Sequence, residues 1–243
     1  MTDNEKNSPV TIAGLDNCGK TAFICSLIKL GHRSDISLAA LKPFDTGIIH
    51  RNANEEISDG ALLCSNMTGD PMEVLVSPYV AYETYPIEMA FRRDGIRINW
   101  GFLNERLKIL GDLYDFTFLE TPGSLCMPIT EEKLVSDWLT ETQYPVIWIM
   151  KPDQDQFTQN LAEISLLKGL NLNVELVINN TDPIQDQDLL FYMWEKVEQL
   201  AGQEIAGMVP FVRNLETDFS RMADKMETAL PDLVSRLLGK QNP

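Results

Sequence analysis

The chain has 243 residues, 44% of them hydrophobic, and no Gly/Ser/Pro-rich divider, so one domain over 9–243 behind a loose polar tail, residues 1–8, is expected. Its 20 Lys+Arg against 36 Asp+Glu give a formal charge of -16, which repels nucleic acid and anionic membrane at long range. The longest apolar runs, such as Tyr144 to Met150, fall well short of the roughly 20 residues a membrane helix needs, and no signal-peptide pattern opens the chain.

A cytoplasmic protein with neither nucleic-acid nor membrane partners is therefore expected. Four cysteines, Cys18, Cys25, Cys64 and Cys126, show no C-x-x-C spacing. They read as reduced thiols rather than a disulfide framework or a zinc site.

In chain order, the first apolar run, Val10 to Ala13, predicts a strand that feeds the segment "GLDNCGKT" and then a helical pattern from Lys20 to Leu30. The spacing G-x-x-x-x-G-K-T joins glycines that fold closely around an anion, a lysine for the outer phosphates and a hydroxyl for Mg²⁺. The helix that follows turns its N-terminal amides and positive dipole end toward the same phosphates. Gly14, Asp16, Asn17, Cys18, Gly19, Lys20, Thr21 and Ala22 are accordingly the expected nucleotide-binding residues, with Thr21 also on the metal.

A second strand, Ser37 to Leu41, delivers Lys42 beside the first, where strand-end placement suits a second charge clamp. Asp59, inside "EEISDGALL", either belongs to the first turn of a helix over Ile57 to Met67 behind a cap, or is a site acid. Part of Ile87 to Tyr114 reads as helical. The run Phe116 to Leu119 then carries Glu120 into a turn marked by Pro122 and Gly123, the placement expected of a metal-facing carboxylate.

Further strands are predicted at Pro145 to Met150, Val174 to Ile178 and Ile205 to Val209. They alternate with helices over Glu131 to Glu141, Gln156 to Lys168, Gln185 to Leu200 and Asp218 to Leu238. Continuous apolar strands suit burial on both faces. The expected fold is α/β and P-loop NTPase-like, a mainly parallel β-sheet flanked by helices on both faces.

In order along the chain, the phosphate loop, "KPFDTG", "SDGALL", "SPYVAYETYPIE", "LETPGS", "SDWLTETQYPVIWIM", "VINN" and "GMVPF" make a pattern that resembles the dethiobiotin synthase family from about Val10 to Phe211. That family is an ATP- and Mg²⁺-dependent cyclo-ligase in which a diamine is carbamylated by CO₂, the carbamate is phosphorylated by ATP, and the second amine closes the ring. The resemblance implies that Lys20 and Lys42 neutralise the γ-phosphate and the carbamate, that Thr21, Asp59 and Glu120 hold Mg²⁺, and that Thr46 hydrogen-bonds the ring-forming end of the substrate. It further implies adenine contacts from Asn179, Pro210 and Phe211, a diamine substrate, 7,8-diaminononanoate in that family, and a homodimer with substrate across its interface.

The departures from the pattern fall in the site. Gly14 to Gly19 encloses four residues where the family has five, and Thr121 and Pro122 replace small residues after Glu120. In "KPDQDQFTQN", Asp153 and Asp155 put negative charge at the start of a helix that in the family receives the substrate's carboxylate tail. Both an altered acceptor, neutral or cationic, and an ATP-binding paralogue acting on a protein partner remain open. The latter would be catalytically silent or a regulatory ATPase of the ParA/MinD class, though Leu15 and Asp16 supply no lysine of the kind those regulators carry early in the loop.

Overall fold

The computed structural model describes residues 8–47, 58–69, 71–183, 186–213 and 219–239. The expected tail, apart from Ser8, and the outermost residues Ile57, Gln185 and Asp218 of three expected helices lie outside them.

Six strands form one wholly parallel sheet: β1 (Val10–Ala13), β2 (Leu38–Leu41), β5 (Phe116–Glu120), β8 (Val146–Met150), β9 (Val174–Asn179) and β10 (Ile205–Val209). Their order across the sheet is β10-β9-β8-β1-β5-β2. All residues of β1, β2 and β8 are buried, as continuous Val/Ile/Leu runs require when helices cover both faces. From β1 the chain crosses in one direction to β2, and later it crosses back from β5 to β8 on the other side of β1. The reversal makes the carboxyl end of β1 the switch point where ligands of open parallel sheets collect.

Each predicted strand is present. Two predicted helices differ in ways that follow from local chemistry. The pattern from Ile87 to Tyr114 is interrupted by Gly95 at φ 68, so α4 (Ile87–Arg93) and α5 (Trp100–Leu113) are separate, the second opened by Asn99, whose side chain accepts from the Phe102 amide. The last pattern breaks into α9 (Ser220–Ala229) and α10 (Pro231–Leu237), because Pro231 has no N–H to continue the first helix and suits the start of the second.

Elements that the periodicity did not indicate are short. β3 (Phe44–Thr46) pairs with β4 (Tyr79–Ala81) in parallel. β6 (Pro128–Thr130) and β7 (Lys133–Leu134) make a small antiparallel pair, which delays the expected Glu131 helix until α6 (Val135–Thr142). Phe44 anchors β3 in an aromatic cluster, with ring centroids 5.4 Å from Trp138 and 6.1 Å from Phe91. That anchorage fixes the backbone carrying Asp45 and Thr46.

Candidate nucleotide-binding site

The loop leaves β1 at the switch point and enters α1 (Lys20–Arg33). A Cβ at Gly14 would collide with the Ile149 carbonyl of β8, and one at Gly19 with the Asn179 carboxamide. Glycine at these two positions therefore lets the loop lie against the neighbouring strand ends. Gly19 caps α1 without a side chain, and the first turn holds no acidic residue, so the helix amides are left to an anion. The Lys20 ammonium folds back over the loop and donates to the Gly14 and Leu15 carbonyls, each at 2.9 Å.

Two strand ends, those of β2 and β5, and two helix starts meet beside this loop. Thr21 donates its hydroxyl to Oε1 of Glu120 at 2.9 Å, and Lys42, just past β2, donates to the same oxygen at 2.8 Å. Lys42 also reaches Oδ2 of Asp59 at 2.5 Å. Asp59 is the first residue of α2 (Asp59–Asn66), whose cap is Ser58, accepting from the Ala61 amide. Asp59 is thus a first-turn residue that also faces Lys42 across the cavity it lines.

Burial alone would push the Lys42 ammonium down. The Glu120 carboxylate, then those of Asp59 and Asp45, outweigh it and hold the group above the ordinary lysine value, so Lys42 stays charged. Cys18 moves the other way from a functional thiolate: burial raises its thiol and keeps it protonated.

These residues line a cavity of about 960 Å³. Among the predicted site residues, it gathers Asp16, Asn17, Gly19, Lys20, Thr21, Ala22, Lys42, Thr46, Asp59 and Glu120. Gly14 and Cys18 lie behind the loop. The Asn179 carboxamide donates to the Cys18 carbonyl at 2.8 Å, bracing the loop from the far side, and Pro210 and Phe211 follow the end of β10; these five residues do not line the cavity.

Residues that the sequence reading missed complete its walls. Thr84, Tyr85, Pro86 and Ile87 form one side and Phe219 another, with Asp45 beside Thr46. Thr84 to Ile87 lie inside the segment "SPYVAYETYPIE" that carries part of the resemblance, which assigns none of its residues to the site; its start, Ser77 after the short α3 (Glu73–Val76) and Tyr79 in β4, does not line the cavity. A proline directly before a helix, here Pro86 as the N-cap of α4, is the signal that would have singled out Tyr85-Pro86-Ile87.

The start of α7 (Gln154–Gly169) is satisfied internally. Asp153 caps it, accepting from the Asp155 amide at 2.9 Å, and pairs with Lys151 at 2.7 Å. The Lys151 contact holds the Asp153 carboxyl below the usual aspartate value. From the first turn Gln156 donates to the Asp16 carbonyl at 3.4 Å.

The donor set fits a hard divalent cation. Among the described residues, Oε2 of Glu120 is buried without a hydrogen-bond partner, in the cavity that the Thr21 hydroxyl and the Asp59 carboxylate also line. Mg²⁺ is commonly bound by one or two carboxylates together with substrate phosphates.

A family model described as "AAA domain" matches residues 10–218. An ATP-dependent dethiobiotin synthetase BioD of Methanocaldococcus jannaschii is 26% identical over 224 residues, covering 88% of this chain and 99% of that protein. One from Bacillus cereus is 26% identical over 194 residues, covering 79% and 78%. Among solved structures, the MinD cell division protein of Aquifex aeolicus superposes with a TM-score of 0.54 at 14% identity, over 97% of this chain and 99% of that one. At that identity the likeness shows the fold, a P-loop NTPase-like parallel α/β sheet.

Proposed function

Because the chain belongs to this AAA domain family and is a distant homologue of the dethiobiotin synthetases, a P-loop group that generally binds ATP and Mg²⁺, we propose that it is an ATP- and Mg²⁺-dependent carbon–nitrogen ligase. Its acceptor would be an amine carried as a carbamate, 7,8-diaminononanoate or a relative of it. The observation that carries the reading is the convergence of Thr21 and Lys42 on Glu120, with Asp59 on the other side of Lys42, at the carboxyl ends of β2 and β5 and the starts of α1 and α2.

In this reading phosphoryl transfer is governed by positioning and charge neutralisation. Lys20, released from the Gly14 and Leu15 carbonyls, would pair with the β- and γ-phosphates, and the α1 amides would cradle the chain of phosphates. Thr21, Glu120 and Asp59 would hold Mg²⁺, which supplies charge neutralisation to the phosphates when bound. Lys42 would face the carbamate, and Thr46 the amine end of the acceptor. Thr84 to Ile87 and Phe219 would exclude water from that end. A homodimer and a cytoplasmic location belong to the same proposal, and among the described residues no helix is long and apolar enough to cross a membrane.

Titration calorimetry with Mg²⁺-ATP, followed by a phosphate-release assay with 7,8-diaminononanoate and bicarbonate, tests it. Diamine-dependent phosphate release with a cyclic urea product supports the ligase. ATP binding with no diamine-dependent turnover overturns that substrate assignment and favours a paralogue that binds ATP for another purpose.

A further inference from the structure

Two buried polar atoms without hydrogen-bond partners among the described residues lie on consecutive residues at the end of β5: Oε2 of Glu120 and the hydroxyl of Thr121. Both residues are 1% exposed, and both line the cavity. The cation site accounts for the carboxylate oxygen. It does not account for the hydroxyl.

A buried hydroxyl with no partner destabilises the fold that contains it, and valine would fill the same volume without that cost. The surrounding backbone sharpens the question of what the hydroxyl is for. The Thr121 amide is already spent on the Ile12 carbonyl at 3.0 Å, and the next residue, Pro122, has no N–H to offer. At these two positions of the cavity wall, the donor left for an anion is the Thr121 side chain.

Its position fits a phosphate. Ile12 pairs with Glu120 across β1 and β5, so Thr121 stands one step further, beside Ala13 where the loop begins. The next two loop carbonyls, of Gly14 and Leu15, hold the Lys20 ammonium. Thr121 and Lys20, the lysine expected to meet the outer phosphates, line the same cavity.

We propose that Thr121 is a further phosphate-contacting residue, whose hydroxyl donates to the terminal phosphate of a bound nucleoside triphosphate and so lets the site tell ATP from ADP. The proposal rests on the ATP reading of the cavity. A phosphate oxygen is an ionised acceptor, and a hydrogen bond to an ionised group is the stronger kind.

The test compares wild type, Thr121→Val and Thr121→Ser by titration calorimetry with ATPγS and with ADP, each with Mg²⁺, and by the thermal midpoint without nucleotide. The expected result for Thr121→Val is ATPγS affinity weakened about tenfold or more, as for loss of a hydrogen bond to a charged group, and ADP affinity within about twofold of wild type. Thr121→Ser restores ATPγS binding, and the midpoint of Thr121→Val stays level or rises because an unpaired polar atom has been removed. Wild-type ATPγS affinity in Thr121→Val, or equal loss of both nucleotides, overturns the proposal while leaving the ATP reading in place. Failure of the wild type to bind ATPγS overturns both.

Discussion

Lys42 sits where burial opposes its charge, and the carboxylates of Glu120 and Asp59 retain that charge. The pair is asymmetric, because the Lys42 side chain is 12% exposed and that of Glu120 1%. Lys42→Met would leave Glu120 with Thr21 as its remaining hydrogen-bonded side chain among the described residues, and breaking a buried pair costs about 3–5 kcal/mol. Urea unfolding of Lys42→Met should show a loss of that order. Lys42→Met combined with Glu120→Gln should recover much of it, since the uncompensated charge is gone. The sign of the pH dependence follows from the raised folded value. The Lys42 contribution is fully present below the unfolded lysine value of about 10.4 and is lost only as pH rises through the higher folded value. The gap between wild type and Lys42→Met should therefore be flat from about pH 7 to 9 and narrow only above about pH 10.

At the scale of an element, α2 owes its start to one hydroxyl, and that start aims Asp59. Ser58 accepts from the Ala61 amide at 2.9 Å and donates to Glu73 of α3. Ser58→Ala removes a cap worth about 1 kcal/mol, so thermal unfolding should move down by about 2–4 °C, the shift typical of that loss in a chain of this length. Mg²⁺-ATP affinity should fall with it, because Asp59 loses its fixed approach to Lys42; unchanged affinity in calorimetry would remove Asp59 from the metal site. A cap at Ser58 or Asp59 was readable from sequence, and the six main strands likewise, because capping and continuous apolar runs are local; that the cap is Ser58 comes from the structure. β3 and β4 were not: three-residue strands have too few side chains to show a period, and Phe44 holds β3 by aromatic contacts with Trp138 and Trp100, far along the chain. The cavity divides the same way. Lys20, Thr21, Lys42 and Glu120 follow strand ends and could be placed by motif. Phe219 and the Thr84 to Ile87 wall arrive through tertiary packing, and Asn179 reaches the Cys18 carbonyl from the opposite side of the loop.

At the scale of the molecule, the formal charge of -16 sets the approach of a nucleotide apart from its binding. The cavity does not reverse that field. It is lined by Lys20 and Lys42 against the four carboxyl groups of Asp16, Asp45, Asp59 and Glu120, and Lys42 is already paired. Attraction for phosphate is therefore short-ranged, supplied by loop amides, the α1 terminus and Lys20, whereas the long-range field repels an anion. The consequence is kinetic. Raising salt from about 10 mM to 0.1 M shortens the Debye length from about 30 Å to about 10 Å, which screens the repulsion but hardly touches contacts made inside the cavity. The association rate of a fluorescent ATP analogue with Mg²⁺, followed by stopped flow, should rise several-fold over that range, while its dissociation rate changes little. An association rate that fell with salt would show a positive funnel at the cavity mouth and would contradict this charge balance.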